Sequence, residues 1–343
     1  MHGTRPSAAP LCAMNPPSPH TSPLPAPLRH TLTTHDADAY ATGQDGWHLE
    51  CEVLSGGSFA GFLDHVQLPG LRLVREQTNR ALRQHGEMNP DCCGFALAYR
   101  QPGEARFSGQ RLDTESVMVG RTDELDLCSP AGFELLGIVV DNARLDALAG
   151  RLYGRAPPAW LQRRVVLHLA PPQMQALRHT LLSAFAALDA TPALLDDPVA
   201  TTQLRDDVLL AWLQALPEDV DLRELKSTEA RRRVVRRACE LMMARPDEPL
   251  SMLEVCNRIG ASQRKLNYCF QETLALSPAR YLRALRLNGV RRELKRPGPR
   301  AACVQDIAAH WGFWHLGQFA TDYKRQFGEL PSQTLHGTAG LRH

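Results

Sequence analysis

The chain has 343 residues, of which 43% are hydrophobic and 22% are charged, the composition of a globular protein long enough for two domains. This composition excludes a fibrous or wholly disordered chain, and no run of about 18 apolar residues occurs, so that no membrane partner is predicted. Residues from Arg223 onward contain 22 Lys and Arg against 11 Asp and Glu, whereas the preceding residues contain 17 and 26. A basic C-terminal part joined to an acidic one is typical of a nucleic-acid-binding module attached to a non-binding domain.

The first thirty residues do not have the pattern of a folded segment. They contain eight prolines and no continuous apolar run, which is unlike a secretory signal. We therefore predict a disordered, proline-rich tail over residues 1–30.

Short strands separated by turns are predicted from His30 to about Asp141. The segment WHLECEVL alternates polar and apolar residues, SVMVG and FELLGIVVD are apolar or β-branched, and turn sequences such as LSGGS and CSPAG lie between such runs. Regularly spaced short strands of this kind favour a sandwich or a small barrel.

From Asn142 the apolar spacing becomes helical. The segments PPQMQALRHTLLSAFAALDA and DPVATTQLRDDVLLAWLQALPED each have proline at the start, and the second helix is predicted to stop at Pro217. One apolar face of this second helix is predicted to pack on its own domain or, alternatively, on a second copy of the chain. The residues of that face are Leu204, Val208, Ala211, Trp212 and Ala215.

The segment SMLEVCNRIGASQRKLNYCFQETL has the spacing of a helix-turn-helix unit. Cys256 lies four residues before Gly260 and is small enough for two helices to cross closely, while the glycine suits a left-handed turn. Leu266, six residues after the glycine, returns an apolar side chain to the joint core. Ser262 is predicted to cap the second helix. The outward side chains of that helix are those of Gln263, Arg264, Asn267 and Tyr268.

A second unit of this kind follows, joined to the first by the basic segment SPARYLRALRLNGVRRELKR, which predicts a linker helix. Ala308 is the small crossing residue, Gly312 the turn glycine and Phe319 the returning core residue, so that the second turn is predicted to be one residue longer. Most aromatic rings of this region are predicted to form its core, namely Trp311, Phe313, Phe319, Tyr323 and Phe327. The exposed front of the second recognition helix is predicted to carry Trp314, His315, Leu316, Gln318 and Thr321.

The paired units, together with the segments SPARYLRALRL, DIAAHWGF and QFATDYKRQFGELPSQ, make residues 228–337 resemble the AraC/XylS family of bacterial transcription regulators. Within that family, the C-terminal sequence is most similar to the branch that contains the ethanolamine-utilisation regulator. The resemblance implies an α+β chain. It would have a strand-rich, cupin-like N-terminal domain with following helices, then an all-α C-terminal domain of two helix-turn-helix units joined by a linker helix.

The resemblance also implies that each unit places a recognition helix in one of two successive major grooves of double-stranded DNA. The family's base-reading positions fall on Arg264, Asn267 and Tyr268 of the first unit and on Leu316, Gly317, Gln318 and Thr321 of the second. Gly317 stands where the family usually has serine and Thr321 where it usually has arginine, so the second unit is predicted to read DNA more weakly. The predicted DNA-binding residues are Gln263, Arg264, Asn267, Tyr268, His315, Leu316, Gln318, Thr321, Lys324 and Arg325. Arg286 of the linker helix is predicted either to contact phosphate or to brace the two units.

For the N-terminal part, the resemblance implies sensing and dimerisation. We predict a small-molecule effector at the mouth of the barrel, a homodimer, and RNA polymerase as a further partner of a ligand-responsive activator. The predicted boundaries are residues 31–222 for the effector-sensing and dimerisation domain and residues 223–343 for the DNA-binding domain.

The nine cysteines predict a reducing, cytoplasmic location. Their number is odd and no two are spaced Cys-x-x-Cys, which disfavours both a zinc ribbon and a secreted disulfide framework. The neighbouring Cys92 and Cys93 are interpreted as buried or turn cysteines in preference to a thiol sensor or soft-metal site.

The sequence predicts no catalytic residue, metal site or cofactor. His48, His65 and His85 lie near Glu50 and Glu87 in predicted strands or turns, but they do not form the His-x-His pair expected of a metal-binding cupin. No serine-nucleophile, phosphate-loop or dinucleotide motif is present. Two alternatives remain open: a cupin-type metal-dependent enzyme with an appended helical domain, and a helical adaptor that binds only protein.

Overall fold

A computed structural model describes residues 28–44, 46–121, 124–153, 158–217, 220–244, 250–296 and 303–337 of the chain. All the strands precede Arg223 and only helices follow it in these ranges, which confirms the predicted α+β class. The tail predicted over residues 1–30 lies outside the described residues except for its last three, which begin the first strand and correct that boundary. Among the helices of the described ranges, none is long and apolar enough to cross a membrane.

The strands form two antiparallel sheets. In chain order they are β1 (Leu28–Thr34), β2 (His48–Val53), β3 (Gly61–Leu68), β4 (Leu71–Thr78), β5 (Leu82–Glu87), β6 (Cys92–Arg100), β7 (Ala105–Phe107), β8 (Gln110–Leu112), β9 (Ser116–Gly120), β10 (Glu124–Ser129), β11 (Phe133–Asp141) and β12 (Val165–His168). One sheet has seven strands in the order β1-β3-β4-β11-β6-β9-β12, and the other has five in the order β2-β5-β10-β7-β8. The two sheets enclose a cavity, as expected of a small barrel.

The five-stranded sheet is covered on both faces. Cys51 of β2, Gln84 of β5 and Leu127 of β10 are paired in register and share the face toward the seven-stranded sheet. Because strand side chains alternate, Arg83 and its register partner Cys128 lie on the opposite face. Cys128 packs there with side chains of the C-terminal helices. This sheet therefore separates the barrel interior from the helical part of the chain.

Four helices complete the described N-terminal part: α1 (Ala37–Thr42), α2 (Asn142–Tyr153), α3 (Pro171–Ala190) and α4 (Pro198–Ala215). Both α3 and α4 pack on the seven-stranded sheet, where Trp212 is fully buried with its ring centroid 5.6 Å from that of Phe95. Proline occupies the first turn of both helices, and Asp197 caps α4 by accepting from the Val199 backbone N–H. The apolar face predicted on α4 therefore packs on its own domain.

The C-terminal helices share a core with the barrel. They are α5 (Arg223–Met243), α6 (Met252–Ile259), α7 (Gln263–Leu274), α8 (Pro278–Lys295), α9 (Val304–His310), α10 (Leu316–Phe327) and α11 (Pro331–Gly337). One hydrophobic cluster contains Tyr40 and Leu63 of the barrel together with Leu287, Val290 and Phe319 of the helices. The two sequence regions thus share part of their cores, although the cluster beneath α3 and α4 belongs to the N-terminal part.

Candidate DNA-binding surface and its contact with the barrel

The first helix-turn-helix unit consists of α6 and α7 and has the local chemistry predicted for it. Ser251 caps α6 together with Glu254, whose carboxylate accepts from the Ser251 backbone N–H at 2.8 Å. Gly260 adopts a φ of 68° in the turn, a conformation in which a side chain is strained. Ser262 caps α7 by accepting from the Lys265 backbone N–H at 3.2 Å. These contacts fix the angle at which α7 leaves the turn.

The outer face of α7 is free for a partner. Leu266, Cys269 and Phe270 are buried in the unit. Helical periodicity turns Asn267 and Tyr268 outward, and Tyr268 is 54% exposed. The predicted readers on this helix are all exposed and make no side-chain hydrogen bond to another described residue, namely Gln263, Arg264, Asn267 and Tyr268. Their donors and acceptors are therefore available to the edges of bases.

The second unit, α9 and α10, is built in the same way around a longer turn. Ala308 is fully buried at the crossing, Gly312 has a φ of 77°, and Phe319 is buried, as the spacing predicted. Residues 311–315 separate these two helices, against residues 260–262 in the first unit. The helix boundaries therefore make the second turn two residues longer, where the glycine spacing predicted one.

Trp311 fixes the second unit to the linker helix α8. Its indole N–H donates to Glu293 at 2.7 Å, and its ring lies against Gly289. A Cβ on Gly289 would come within 2.2 Å of that ring, so glycine is required here for close approach of the two segments. Trp311 thus packs on the core as predicted, whereas Trp314 is 67% exposed.

The exposed face of α10 is more constrained than that of α7. Asp322 is 1% exposed and accepts hydrogen bonds from Gln318 at 3.1 Å and from Arg325 at 2.7 Å. Its carboxylate also pairs with Arg283 of α8. Thr321 donates through Oγ1 to the backbone carbonyl one turn earlier, at 3.0 Å. Three of the predicted DNA-binding residues are thus engaged within the protein.

The other predicted contacts on α10 are exposed and unengaged. His315, Leu316 and Lys324 are open to solvent, and Lys324 has no ion-pair partner among the described residues. Arg286 of α8 is partly buried, which lowers its pKa, and it has no hydrogen-bond partner in the described part of the chain. Among the described residues, Arg286 therefore forms no ion pair that would brace the two units. The base and phosphate contacts themselves stay predictions.

The opposite side of α8 faces the barrel. Asn288 is 5% exposed, and its amide pairs with the backbone of Val53: Nδ2 donates to the carbonyl at 3.0 Å, and Oδ1 accepts from the N–H at 3.2 Å. Gln326 of α10 donates to the same carbonyl at 2.7 Å. Side chains of the helical part thus satisfy both backbone groups at the end of β2.

Further along α8, two cations bind acidic side chains of the barrel. Arg292 donates to Glu52 at 2.5 Å and to Asp38 at 3.3 Å. Lys295 donates to Asp36 at 2.5 Å and to Asp38 at 3.0 Å. Burial raises the pKa of Glu52 to about 7, against the lowering effect of Arg292. The ion pairs therefore fasten α8 to the start of the barrel.

This contact was not predicted from the sequence. On the linker helix, Arg286 was predicted either to contact phosphate or to brace the two units. Asn288, Arg292 and Lys295 are spaced at i, i+4 and i+7 and so share one helical face. This spacing was the feature of the sequence that could have indicated a polar contact on that face. That face contacts protein, and only the other side of the helix remains for DNA.

The outer face of the five-stranded sheet also contacts α5, α7 and α8. Arg83 donates through Nε to Asp126 at 2.9 Å, and its guanidinium lies over the ring of Tyr281, 5.4 Å from the centroid. Arg232 of α5 lies 3.7 Å from the Asp126 carboxylate. Arg106 donates to a backbone carbonyl near the end of α7 at 3.1 Å. This face of the sheet is therefore a charged platform for the helices.

The structure brings three possible metal ligands together where the sequence predicted none. Ligand atoms of Glu50, Glu52 and His85 all lie within 4.8 Å of one another on the outer face of the sheet. Arg292 lies against the same carboxylates, at 2.5 Å from Glu52 and 4.0 Å from Glu50. A guanidinium already neutralises this cluster, and a divalent cation would have to displace it.

The cavity between the two sheets occupies about 590 Å³, including its open mouth. Its apolar lining includes Trp47, Val74, Met88, Phe107, Met118 and Leu127, and its polar lining includes Gln44, Glu76 and Gln84. The strand pattern could not identify these residues, because it does not show which strands lie opposite one another across the barrel.

Comparison with known proteins agrees with the geometry of the two units. Residues 255–337 match a family model described as a helix-turn-helix domain. The chain is similar to a protein described as a probable thc operon regulatory protein from Rhodococcus erythropolis, with 34% identity over 148 residues, 43% of this chain and 45% of that protein. It is also similar to the XylDLEGF operon transcriptional activator of Pseudomonas putida, with 39% identity over 74 residues, 22% of this chain and 23% of that protein. The matches thus cover less than half the length of these relatives.

A solved structure is similar as well. The probable AraC family transcriptional regulator from Rhodopseudomonas palustris is 31% identical over a region that covers 31% of this chain and 97% of that chain, with a TM-score of 0.29. The predicted ethanolamine-utilisation branch stays a prediction. The matched domain, its two capped units on a common linker helix and the sequence relatives show that the C-terminal part of this chain is a helix-turn-helix domain similar to that of AraC/XylS-type operon regulators.

Proposed function

We propose that the chain is a sequence-specific DNA-binding transcriptional regulator whose activity responds to a small molecule held in the barrel cavity. The exposed outer face of α7 is the observation that supports the DNA-binding part of this proposal. Arg264 and Asn267 on that face offer the donors and acceptors that pair with guanine and adenine edges in the major groove. The second unit, fixed to the first through α8, reads the next groove more weakly because Gln318 and Arg325 are held by Asp322.

The ligand-responsive part rests on the position of the cavity. Residues of β5 line it on one side and contact the helical part on the other. A ligand that shifts this strand therefore acts on the surface that holds α8. The homodimer and the contact with RNA polymerase are proposed on the family resemblance, as is activation. Activation is also what the name of the Pseudomonas putida relative states for that protein.

The proposal is tested by selecting binding sites for the full chain from random double-stranded DNA. The enriched sequences should contain two half-sites about one helical turn apart, roughly 10 base pairs. Arg264→Ala should relax the base preference in one half-site, while Arg111→Ala, an exposed arginine of the barrel, should leave both unchanged. An unaltered preference in the Arg264 variant would show that another face reads the DNA.

The full chain is needed for this test. A fragment that began near α5 would expose Leu287 and Val290, which pack against the barrel. Failure of such a fragment to bind DNA would then not separate loss of folding from loss of recognition.

The alternative of a cupin-type metal-dependent enzyme finds no support in the cavity. The described residues that line it include no histidine or cysteine. The group formed by Glu50, Glu52 and His85 lies on the other face of the sheet, against Arg292. A metal there would act on the contact between barrel and helices and not on a substrate in the cavity.

A further inference from the structure

The cavity wall contains a polar group that the protein leaves unpaired. Gln44 follows α1 and is 2% exposed, yet neither its side-chain oxygen nor its nitrogen has a hydrogen-bond partner among the described residues. Its side chain belongs to the lining of the cavity. Buried polar groups are nearly always paired, so an unpaired amide at this position points to a ligand that completes it.

The charge of the cavity restricts that ligand. Glu76 is 8% exposed and accepts from the Tyr40 hydroxyl at 2.9 Å and from Gln84 at 3.2 Å. His65, which is not part of the cavity lining, has its Nε2 3.9 Å from the Glu76 carboxylate. No lysine, arginine or histidine is among the described residues that line the cavity. A carboxylate ligand would be buried beside Glu76 without a cation to compensate it, which is strongly unfavourable.

The hydrogen-bonding capacity of Gln44 restricts the ligand further. Its amide offers one acceptor oxygen and two N–H donors. A carboxylate can only accept, and an ammonium group can only donate, so either would leave one side of the Gln44 amide unpaired. A neutral carboxamide both donates and accepts, and it completes the buried amide in a side-by-side pair. Most of the remaining wall, including Trp47, Met88 and Phe107, is apolar. The further carboxylate of the lining, Glu124, is paired with Arg164 and Arg232.

We infer that the cavity binds an uncharged, largely apolar small molecule that carries a carboxamide-like group, and that it rejects the corresponding carboxylate. Gln44 pairs with the amide, the apolar wall covers the hydrocarbon part, and Glu76 excludes anions. This inference rests on the proposed effector cavity and names the class of ligand for it.

The test uses matched probes that share one carbon skeleton. Benzamide, benzoate and benzylamine, and the corresponding naphthalene compounds, are titrated into the full chain by calorimetry. The amide of each set should bind at least tenfold more tightly than its acid and its amine. Equal or tighter binding of the acid or the amine, or no binding by either amide, would overturn the inference.

Substitutions test whether Gln44 and Glu76 cause the preference for the amide over the acid and the amine. Gln44→Leu should remove the amide's advantage over the acid and the amine, whereas Gln77→Leu, an exposed glutamine of β4, should keep it. Glu76→Gln should improve binding of the acid at least tenfold. If the Gln44 variant keeps the wild-type order of probes, the residue does not select the ligand. If the Gln44 variant does not fold, the order in which the probes bind to the wild-type chain and to the Glu76 variant still tests the proposed ligand class.

Failure of this inference is distinguishable from failure of the proposed function. Salt-dependent DNA binding is measured on the same preparations. DNA binding without the amide preference overturns the ligand class alone, whereas absence of DNA binding overturns the regulator itself, whatever the order of the probes.

Discussion

Arg83 and Gln84 are adjacent on β5 and contact opposite parts of the molecule. Gln84 donates to Glu76 at 3.2 Å inside the barrel, while Arg83 donates to Asp126 at 2.9 Å and lies over Tyr281 of α8. One strand thus separates the cavity from the linker helix that carries both helix-turn-helix units. Side chains alternate between the two faces of a strand. A ligand that displaces β5 from the cavity side therefore also moves the side chains of β5 that contact α8.

DNA binding by the full chain is expected to weaken steeply as salt rises, since phosphate contacts release counterions. The logarithm of the affinity should fall linearly with the logarithm of the salt concentration, by about 0.9 per neutralised phosphate. Lys324→Ala should reduce this slope by about 1, while Arg111→Ala should not change it. Anisotropy titrations of a selected duplex at several salt concentrations measure the slope. A flat dependence would favour the adaptor that binds only protein.

The two recognition helices are expected to contribute unequally. Arg264→Ala should weaken binding to the selected duplex by about 1–3 kcal/mol, because its side chain is free to pair with a base. Gln318→Ala should cost less, because Gln318 already donates to Asp322 at 3.1 Å. Titrations of both variants with one duplex compare the losses. The reverse order would make α10 the main reader.

The buried carboxyl of Glu52 is expected to lower stability as pH rises. Its folded-state pKa is about 7, whereas an ordinary glutamate has a pKa of about 4.3. Between these values the folded chain holds a proton that the unfolded chain has released, so the free energy of unfolding falls as pH rises from about 4.5 to about 7.5. Above both values the folded chain bears the full cost of burying the ionised carboxyl, on the order of 3–4 kcal/mol.

Glu52→Gln should remove this decline, since the variant has no proton to lose at that position. Denaturant unfolding at about pH 5 and about pH 8 measures the difference between variant and wild type. Glu87→Gln is the matched control, because Glu87 is exposed on the neighbouring strand β5. Parallel pH profiles for wild type and the Glu52 variant would show that Glu52 titrates normally.

Gly289→Ala is expected to destabilise the second unit by about 1–3 kcal/mol, because its methyl group would overlap Trp311. Gly150→Ala in α2 is the control. Its methyl group would meet no atom within 4 Å, and so it should be neutral or slightly stabilising. Thermal unfolding compares the two, and Trp311→Leu should restore part of the loss in the Gly289 variant. Equal effects of the two alanine substitutions would show that the ring is not fixed on α8.

The cavity and the contact between the two parts of the chain show where prediction from the sequence stopped. The strands and their alternation predicted a barrel. Glu76 and Gln84 belong to separate strands, and their hydrogen bond cannot be predicted without knowing how the strands are arranged in the barrel. The charge excess after Arg223 predicted a nucleic-acid surface, yet Arg292 and Lys295 bind carboxylates of the barrel. A charge count cannot tell a side chain that faces solvent from one that faces another domain.

The sequence by itself determined the two helix-turn-helix units, because their signals are local. Gly260 and Ser262 act within one turn of the chain, through backbone conformation and a cap, and the core residues recur at helical spacing. The tertiary structure decided which side of the linker helix is left for DNA. The pairing of Asn288 with Val53 joins residues 235 positions apart, and no local pattern specifies a hydrogen bond over that distance. Only folding brings the barrel to that side of α8 and leaves the outer face of α7 open.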